Sequence, residues 1–293
     1  MYKTFYHLNW RPFEATPDPR FFFASEQHRE ALAAVEYTIR MRKGIVLVTG
    51  EIGSGKTTVG HMMCKSCGDQ ASILQIVPRH CNGIELLKQV LRHVQLPAQP
   101  NEAYATLIER LGVYLTDQAR RHRPVVLFVD EGQSLCDDAL EELRVLSNLN
   151  TADQKLIQVV LIGQPELRQR IRRPEYDAMR QRIVLAKQLH PFQQEETQAY
   201  ITHRIATASI ERQNPRVVFA DEAVQEIHRV SGGVPRLINI TCDNCLLLGS
   251  VRQIKQITPT IVHRVIQDMV PRFEDTTQPN YDDSSTLSLA GNL

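Results

Sequence analysis

Long apolar runs are missing from this sequence. No stretch approaches the ~18 consecutive apolar residues that a membrane-crossing helix needs; "IVLV", "VVLFV" and "LIQVVLI" are of strand length. An excess of one charge is missing too. Lys and Arg number 34 against 33 Asp and Glu, a net charge of +1. The whole-molecule field therefore favours neither nucleic acid nor an anionic membrane, and any such binding needs a local patch. The first residues, "MYKTFYHLNW", hold one lysine and no apolar h-region. That is unlike a secretory leader, and a cytoplasmic protein is expected. Cysteines are few: Cys64, Cys67, Cys81, Cys136, Cys242 and Cys245. The pairs "CKSC" and "CDNC" invite a zinc reading. Both fall inside helical patterns rather than knuckle turns, however, and a small apolar core residue reads as well there.

What is present is ordinary for a globular protein. Of 293 residues, 42% are hydrophobic and 23% charged, enough for one large domain or two moderate ones with a buried core. Short apolar runs alternate with amphipathic segments. "GIVLVTG", "SILQIV", "VVLFVD", "LIQVVLIG" and a weaker "RIVLAK" read as strands. Helices are expected at 56–67, 83–94, 102–122 and 138–149. Uniformly apolar strands alternating with helices imply a parallel sheet covered on both faces. Beyond about residue 192 the strand signals stop, and 193–211, 221–231, 235–248 and 259–269 read as helices.

The expected organisation has four parts. Residues 1–24 form an aromatic and proline-rich segment packing on the core, since Pro12, Pro17 and Pro19 forbid a regular helix. Residues 25–191 form the α/β domain, opened by a helix that Ser25 can cap. Residues 192–271 form a small all-helical lid, and 272–293 a polar, disordered tail.

"GEIGSGKT", residues 50–57, has the spacing of a phosphate-binding loop and lies between a buried strand and a helix, where the mechanism needs it. Its glycines let the backbone wrap a phosphate, and the following helix adds its positive end. The residues expected at the nucleotide are Gly50, Glu51, Ile52, Gly53, Ser54, Gly55, Lys56, Thr57 and Thr58. Lys56 would reach the β- and γ-phosphates and Thr57 would offer its hydroxyl to Mg²⁺. The strand "VVLFVDE" ends in two carboxylates: Asp130 for Mg²⁺ and Glu131 to polarise an attacking water. Taken alone, the same residues would read as caps of the next helix.

Two more polar positions belong to this picture. Gln164 follows the fourth strand directly, where a neutral side chain could hydrogen-bond the attacking water or a phosphate; a loop glutamine beside Pro165 reads equally well. Arg236 falls in the first turn of a helix begun by Pro235, where a cation costs a few tenths of a kcal/mol. A nucleotide phosphate beneath the lid would supply the missing anion.

Together, the phosphate loop, "VDE", the polar residue after the fourth strand and "GVPR" resemble the AAA+ ATPases. "YKTFYHLNWRPFEATPDPRFFFASEQHREAL", "LRVLSNLNT", "LIGQPELR", "QRIVLAKQLHPF" and "SGGVPRLINITCDNCLL" narrow the resemblance to the general secretion pathway protein A (ExeA-like) group, related to transposition-type ATPases. The resemblance implies a P-loop AAA+ three-layer parallel sheet with a helical lid, and ATP and Mg²⁺ as ligands. It makes Lys56 and Thr57 the Walker A pair, Asp130 and Glu131 the Walker B pair, Gln164 sensor 1 and Arg236 sensor 2. Arg182 becomes an arginine finger acting in a neighbouring subunit, with Arg180 as the substitute. A finger in trans implies a ring or filament of roughly six copies per turn. Where the group usually has "DEAQ", this chain has Gly132, which could loosen the turn. Asn150 stands where glutamate is common. Longer members continue into a membrane span and a peptidoglycan-binding domain, so a direct cell-wall role is not expected here.

Three functions are compatible with these features. One is an ATPase serving a secretion, pilus or envelope assembly protein. Another is a regulator bound to duplex DNA that works with a transposase. A third is a nucleotide-dependent scaffold with little turnover, against which Glu131 argues. The arginines available for DNA are Arg120, Arg121, Arg123, Arg168, Arg170, Arg172 and Arg173, interleaved with acids.

Overall fold

The computed structural model describes residues 2–273 apart from 17, 69–70 and 79–81. Pro17 and Cys81 lie outside the described residues, as does the expected disordered tail from 274 onward.

Five strands form one parallel sheet: β1 (Ile45–Gly50), β2 (Ser72–Ile76), β3 (Val125–Val129), β4 (Ile157–Gly163) and β5 (Ile183–Leu189), in the order β2-β3-β4-β1-β5. Their residues alternate between two cores. Ile45 and Leu47 of β1 face one layer with Leu74, Leu127 and Val159. Val46 and Val48 face the other with Val126, Phe128 and Val160. Because both faces are covered, no alternate position has to be polar, and the strands read as continuous apolar runs.

Before and between the strands run α1 (Tyr2–Phe5), α2 (Glu26–Arg40), α3 (Lys56–Cys67), α4 (Gly83–His93), α5 (Tyr104–Arg120), α6 (Asp137–Leu146), α7 (Pro165–Ile171) and α8 (Asp177–Arg180). Helices α2 and α3 cover one face of the sheet, and α4 to α7 cover the other. Two of these starts carry side-chain caps. Ser25 caps α2, and Asn82 with Glu85 forms a capping box on α4, devices that stabilise a helix by ~1 kcal/mol each.

The chain then builds a lid from α9 (Gln194–Ala208), α10 (Asp221–Ser231), α11 (Pro235–Val251) and α12 (Pro259–Phe273). It is helical except for one addition. Two-residue strands β6 (Val218–Phe219) and β7 (Gln256–Ile257) pair in parallel, too short for any alternation to reveal. Helix α12 also runs to Phe273, past the expected tail boundary.

The N-terminal segment packs mainly into the lid, with Phe22 against the core on one face of the sheet. Tyr6, Phe13 and Phe21 are buried with Ile201, Ile205, Ile238 and Leu246 in a separate core. Among its described residues the one α-helix, α1, precedes the first proline. Polar ties hold the rest: Tyr6 Oη donates to the Ile254 carbonyl at 3.0 Å, and Asn9 N–H donates to the Ala208 carbonyl at 2.7 Å. Buried Arg204 of α9 donates to the Pro12 carbonyl and to Tyr200 Oη, with Phe13 and Phe21 against its guanidinium. Aromatic side chains thus exchange water for the lid core, at about 25 cal/mol per Å² buried.

Candidate nucleotide site

Strand order places the site. Because β4 lies between β3 and β1, the segments leaving the carboxyl ends of these strands are neighbours, and this is where open parallel sheets bind ligands. The segment after β1 is the phosphate loop, that after β3 carries Asp130 and Glu131, and that after β4 starts with Gln164.

The loop's conformation requires glycine at two positions. Gly53 and Gly55 have φ of 83° and 94°, the left-handed region that side chains avoid. They are also approached closely. A Cβ on Gly53 would lie 2.6 Å from Arg236 Cβ, and one on Gly55 would lie 2.8 Å from His28 Nε2. Lid and α2 therefore touch the phosphate loop two residues apart, at Gly53 and Gly55.

Lys56, the first residue of α3, is buried, and its ammonium donates to the carbonyls of Gly50 and Glu51 at 2.8 Å each. Burial pushes its pKa down, opposed by the Glu131 and Asp130 carboxylates. Thr57 Oγ1 donates to Asp130 Oδ2 at 3.0 Å. Asp130 Oδ1 in turn accepts from the Glu131 N–H at 2.9 Å. A hydroxyl and a carboxylate in direct contact form the oxygen-rich donor set that Mg²⁺ takes.

Glu131 adopts φ 55° and extends toward β4. Gln164 Nε2 lies 3.4 Å from Glu131 Oε2. A further residue, not singled out from the sequence, ties the two together. Gln133 donates through Nε2 to Glu131 Oε2 and accepts the Gln164 N–H on Oε1 at 3.0 Å. Its position in "DEGQ" is the only sequence signal for it. Gly132 lies in this turn. It is buried, and a Cβ there would meet Leu161 Cδ1 at 2.6 Å and the Ile162 carbonyl at 3.0 Å. Asn150 sits in a small hairpin, bridged to Lys155.

A cleft of about 490 Å³ opens over the loop, between sheet and lid. Its floor holds Gly53, Gly55, Lys56, Thr57 and Thr58, and Glu131, Gln164 and Arg236 stand around it. The remaining wall, which sequence reading missed, is the N-terminal segment: Phe13, Thr16, Asp18 and Phe21 to Phe23, backed by Tyr200 and Asn239 of the lid. Phe23, Phe192 and Tyr200 stack within 5.2–5.7 Å of one another. Ile52 is exposed at the cleft, and Glu51 is exposed while Ser54 is buried.

Arg236 is brought to the loop by backbone contact. Its N–H donates to the Gly53 carbonyl at 3.3 Å, and its side chain is exposed in the cleft. Arg182 is not brought there. It precedes β5, where Ile183 pairs with Ile45 at the start of β1. The length of β1 puts it roughly 17 Å from its own phosphate loop. Its side chain is exposed and makes no hydrogen bond or ion pair among the described residues, whereas Arg180 is engaged by Asp177 and by the carbonyls of Ile171, Arg172 and Arg173. The cysteine pairs lie elsewhere. Cys242 and Cys245 are buried in the lid core, and Cys64 and Cys67 are half-buried on α3. Among the described residues no group of three metal-binding side chains forms.

The doubly covered parallel sheet, phosphate loop, paired carboxylates and lid define a P-loop protein of the AAA class. The family model of the AAA domain matches residues 39–171, so this part of the chain is an AAA domain. It is similar to General secretion pathway protein A of Aeromonas hydrophila, with 36% identity over 252 residues, 86% of this chain. The chain spans 45% of that relative's length. Its fold is shared with the Aeropyrum pernix ORC2 protein (TM-score 0.65, 14% identity, 89% of this chain and 72% of that one). It is shared as well with the Thermotoga maritima RuvB Holliday junction branch migration motor (TM-score 0.53, 19% identity, 84% and 70%).

Proposed function

We propose that the chain binds ATP with Mg²⁺ in this cleft and hydrolyses it, acting as a cytoplasmic oligomer that serves a secretion or envelope assembly protein. The observation that carries hydrolysis rather than binding alone is the placement of Glu131. It lies beyond the Thr57–Asp130 pair and in contact with Gln133 and Gln164.

The residues fit the ligands. Glycines admit phosphate oxygens close to the backbone, Lys56 carries positive charge to them, and Thr57 and Asp130 would hold Mg²⁺. The metal supplies neutralisation of charge on the β- and γ-phosphates. Glu131 accepts a proton from the attacking water, and Gln164 holds that water in line through its amide. Arg236 senses the γ-phosphate from the lid. Arg182, remote from its own site, serves a neighbouring copy, which requires a ring or filament, and the family resemblance puts roughly six subunits in each turn. The secretion assignment rests on the likeness to General secretion pathway protein A, which covers most of this chain. Among the described residues no helix is long and apolar enough to cross a membrane.

A DNA-associated, transposition-type role is the second reading, supported by exposed Arg120, Arg123 and Arg172. Of the other candidates, Arg121, Arg170 and Arg173 are paired with Asp117, Asp137 and Glu175, which leaves a thin basic surface. A nucleotide-dependent scaffold with little turnover is the third, and Glu131 weighs against it.

Steady-state phosphate release, with and without duplex DNA, tests all three. Turnover indifferent to DNA supports the assembly ATPase. Stimulation that fades with salt, as phosphate contacts require, transfers the protein to the DNA reading. Tight ATP binding without turnover leaves the scaffold.

A further inference from the structure

We propose that His28 is a positioning residue of the phosphate loop: it grips the Ser54 carbonyl and so aims the Gly55 amide N–H into the phosphate cradle. This rests on the nucleotide reading above.

His28 stands in the first turn of α2 and is only 4% exposed. Its ring spans two partners. Nδ1 lies 2.7 Å from Ser25 Oγ, and Nε2 lies 3.2 Å from the Ser54 carbonyl oxygen. A carbonyl only accepts, so the proton sits on Nε2 and Nδ1 accepts from the Ser25 hydroxyl. One neutral tautomer satisfies both ends. The ring is held edge-on by Phe22 (6.1 Å) and tilted against Phe192 (5.7 Å). Burial pushes its pKa down, opposed by the Ser54 carbonyl, in keeping with the neutral form.

The consequence for the loop follows from peptide geometry. The Ser54 C=O and the Gly55 N–H belong to one planar trans unit and point in opposite directions. Drawing the carbonyl toward His28 turns the amide away from it, toward the concave side of the loop. Gly55 is the residue where the chain takes the left-handed conformation that opens α3. Without an outside anchor this peptide could rotate, and a phosphate would lose a fixed donor. A Cβ on Gly55 would lie 2.8 Å from His28 Nε2, so ring and loop are in direct contact. Ser25 thereby has two tasks, capping α2 and fixing the tautomer of the residue that positions the loop.

The test is equilibrium binding of a fluorescent ADP to wild type, Lys56→Ala, His28→Phe and His28→Gln. Glutamine keeps an N–H donor within reach of the carbonyl, whereas phenylalanine keeps the ring and loses the donor. We expect Lys56→Ala to lose binding, His28→Phe to weaken it about tenfold, the worth of one hydrogen bond, and His28→Gln to stay within about threefold of wild type. A merely structural histidine would give the reverse order, because phenylalanine fills the aromatic site better. Binding by His28→Phe equal to wild type, or weaker binding by His28→Gln than by His28→Phe, overturns the proposal. A wild type that binds no nucleotide overturns the nucleotide reading itself and this proposal with it. Should His28→Phe fail to fold, the imidazole nitrogen shifts of His28 in the intact wild type decide. A neutral Nε2–H tautomer at pH 7 supports the proposal, and an Nδ1–H tautomer or an imidazolium overturns it.

Discussion

The Thr57 hydroxyl donates to Asp130 Oδ2 at 3.0 Å, joining residues 73 positions apart. One belongs to the phosphate loop's helix and the other to the end of β3, two strands away across β4. Their contact turns two separate motifs into one prospective metal site. Thr57→Val removes the hydroxyl at constant shape. Nucleotide affinity in this variant is expected to become insensitive to Mg²⁺, measured by titration in Mg²⁺ and in EDTA. An unchanged Mg²⁺ response would place the metal elsewhere.

Glu131→Gln keeps the shape of the side chain and its contacts to Gln133 and Gln164, but removes the base. Phosphate release is expected to fall by at least ~10²-fold while ATP binding persists. Release near the wild-type rate would mean that another group accepts the proton.

Arg182 lies at the opposite end of the sheet from its own phosphate loop. Arg182→Ala and Glu131→Gln proteins, each slow alone, are expected to regain turnover when mixed, because a mixed oligomer contains sites with an intact base and an intact neighbouring arginine. Co-assembly without recovery at any ratio would remove Arg182 from the site.

Arg204 is buried, and donates to Pro12 and Tyr200 beneath Phe13 and Phe21. Arg204→Met leaves the Pro12 carbonyl without its donor, which costs ~1–3 kcal/mol. The lid and N-terminal segment are expected to melt earlier and to show faster amide exchange, with the sheet less affected. Uniform exchange across the chain would argue against a separate lid core.

Acid is expected to destabilise the fold through buried His28 and half-buried His203. Burial holds the pKa values of His28 and His203 below the usual histidine value, helped at His203 by neighbouring Arg204. Below about pH 6.5 the unfolded chain takes up protons that these folded side chains refuse. Stability is therefore full above that pH and declines as pH falls below it. Buried Glu142, its pKa raised by burial, acts in the opposite sense, so the comparison that isolates the histidine is wild type against His28→Phe. The melting temperature should fall less in the variant between pH 7.5 and 5.5; equal falls would leave His28 without a part.

Much of this arrangement is legible in local pattern. Apolar strands such as Ile45–Gly50 and Val125–Val129 declare a doubly covered sheet. The loop at residues 50–57 is legible from its glycine and lysine spacing together with its place between a strand and a helix, both of which the structure has. Asp130, Glu131 and Gln164 are legible because each directly follows a strand, and parallel strands release their loops at one edge. The β6–β7 ladder is not legible, since two residues carry no period. Nor is the packing of the N-terminal segment: its aromatics announce burial but not the surface that buries them.

The amino-acid sequence by itself determined the sheet, the phosphate loop and the residues available for chemistry, because each depends on spacing within a few positions. The tertiary structure alone decided that β4 separates β1 from β3 and sets Gln164 beside Glu131. It alone decided that Gln133 links those two, that His28 and the Arg236 N–H each hold a carbonyl of the phosphate loop, and that Phe13, Thr16, Asp18 and Phe21 to Phe23 wall the cleft. These contacts join residues far apart in the chain through hydrogen bonds to backbone and through apolar burial, whose partners are chosen by strand order and packing and leave no local signal.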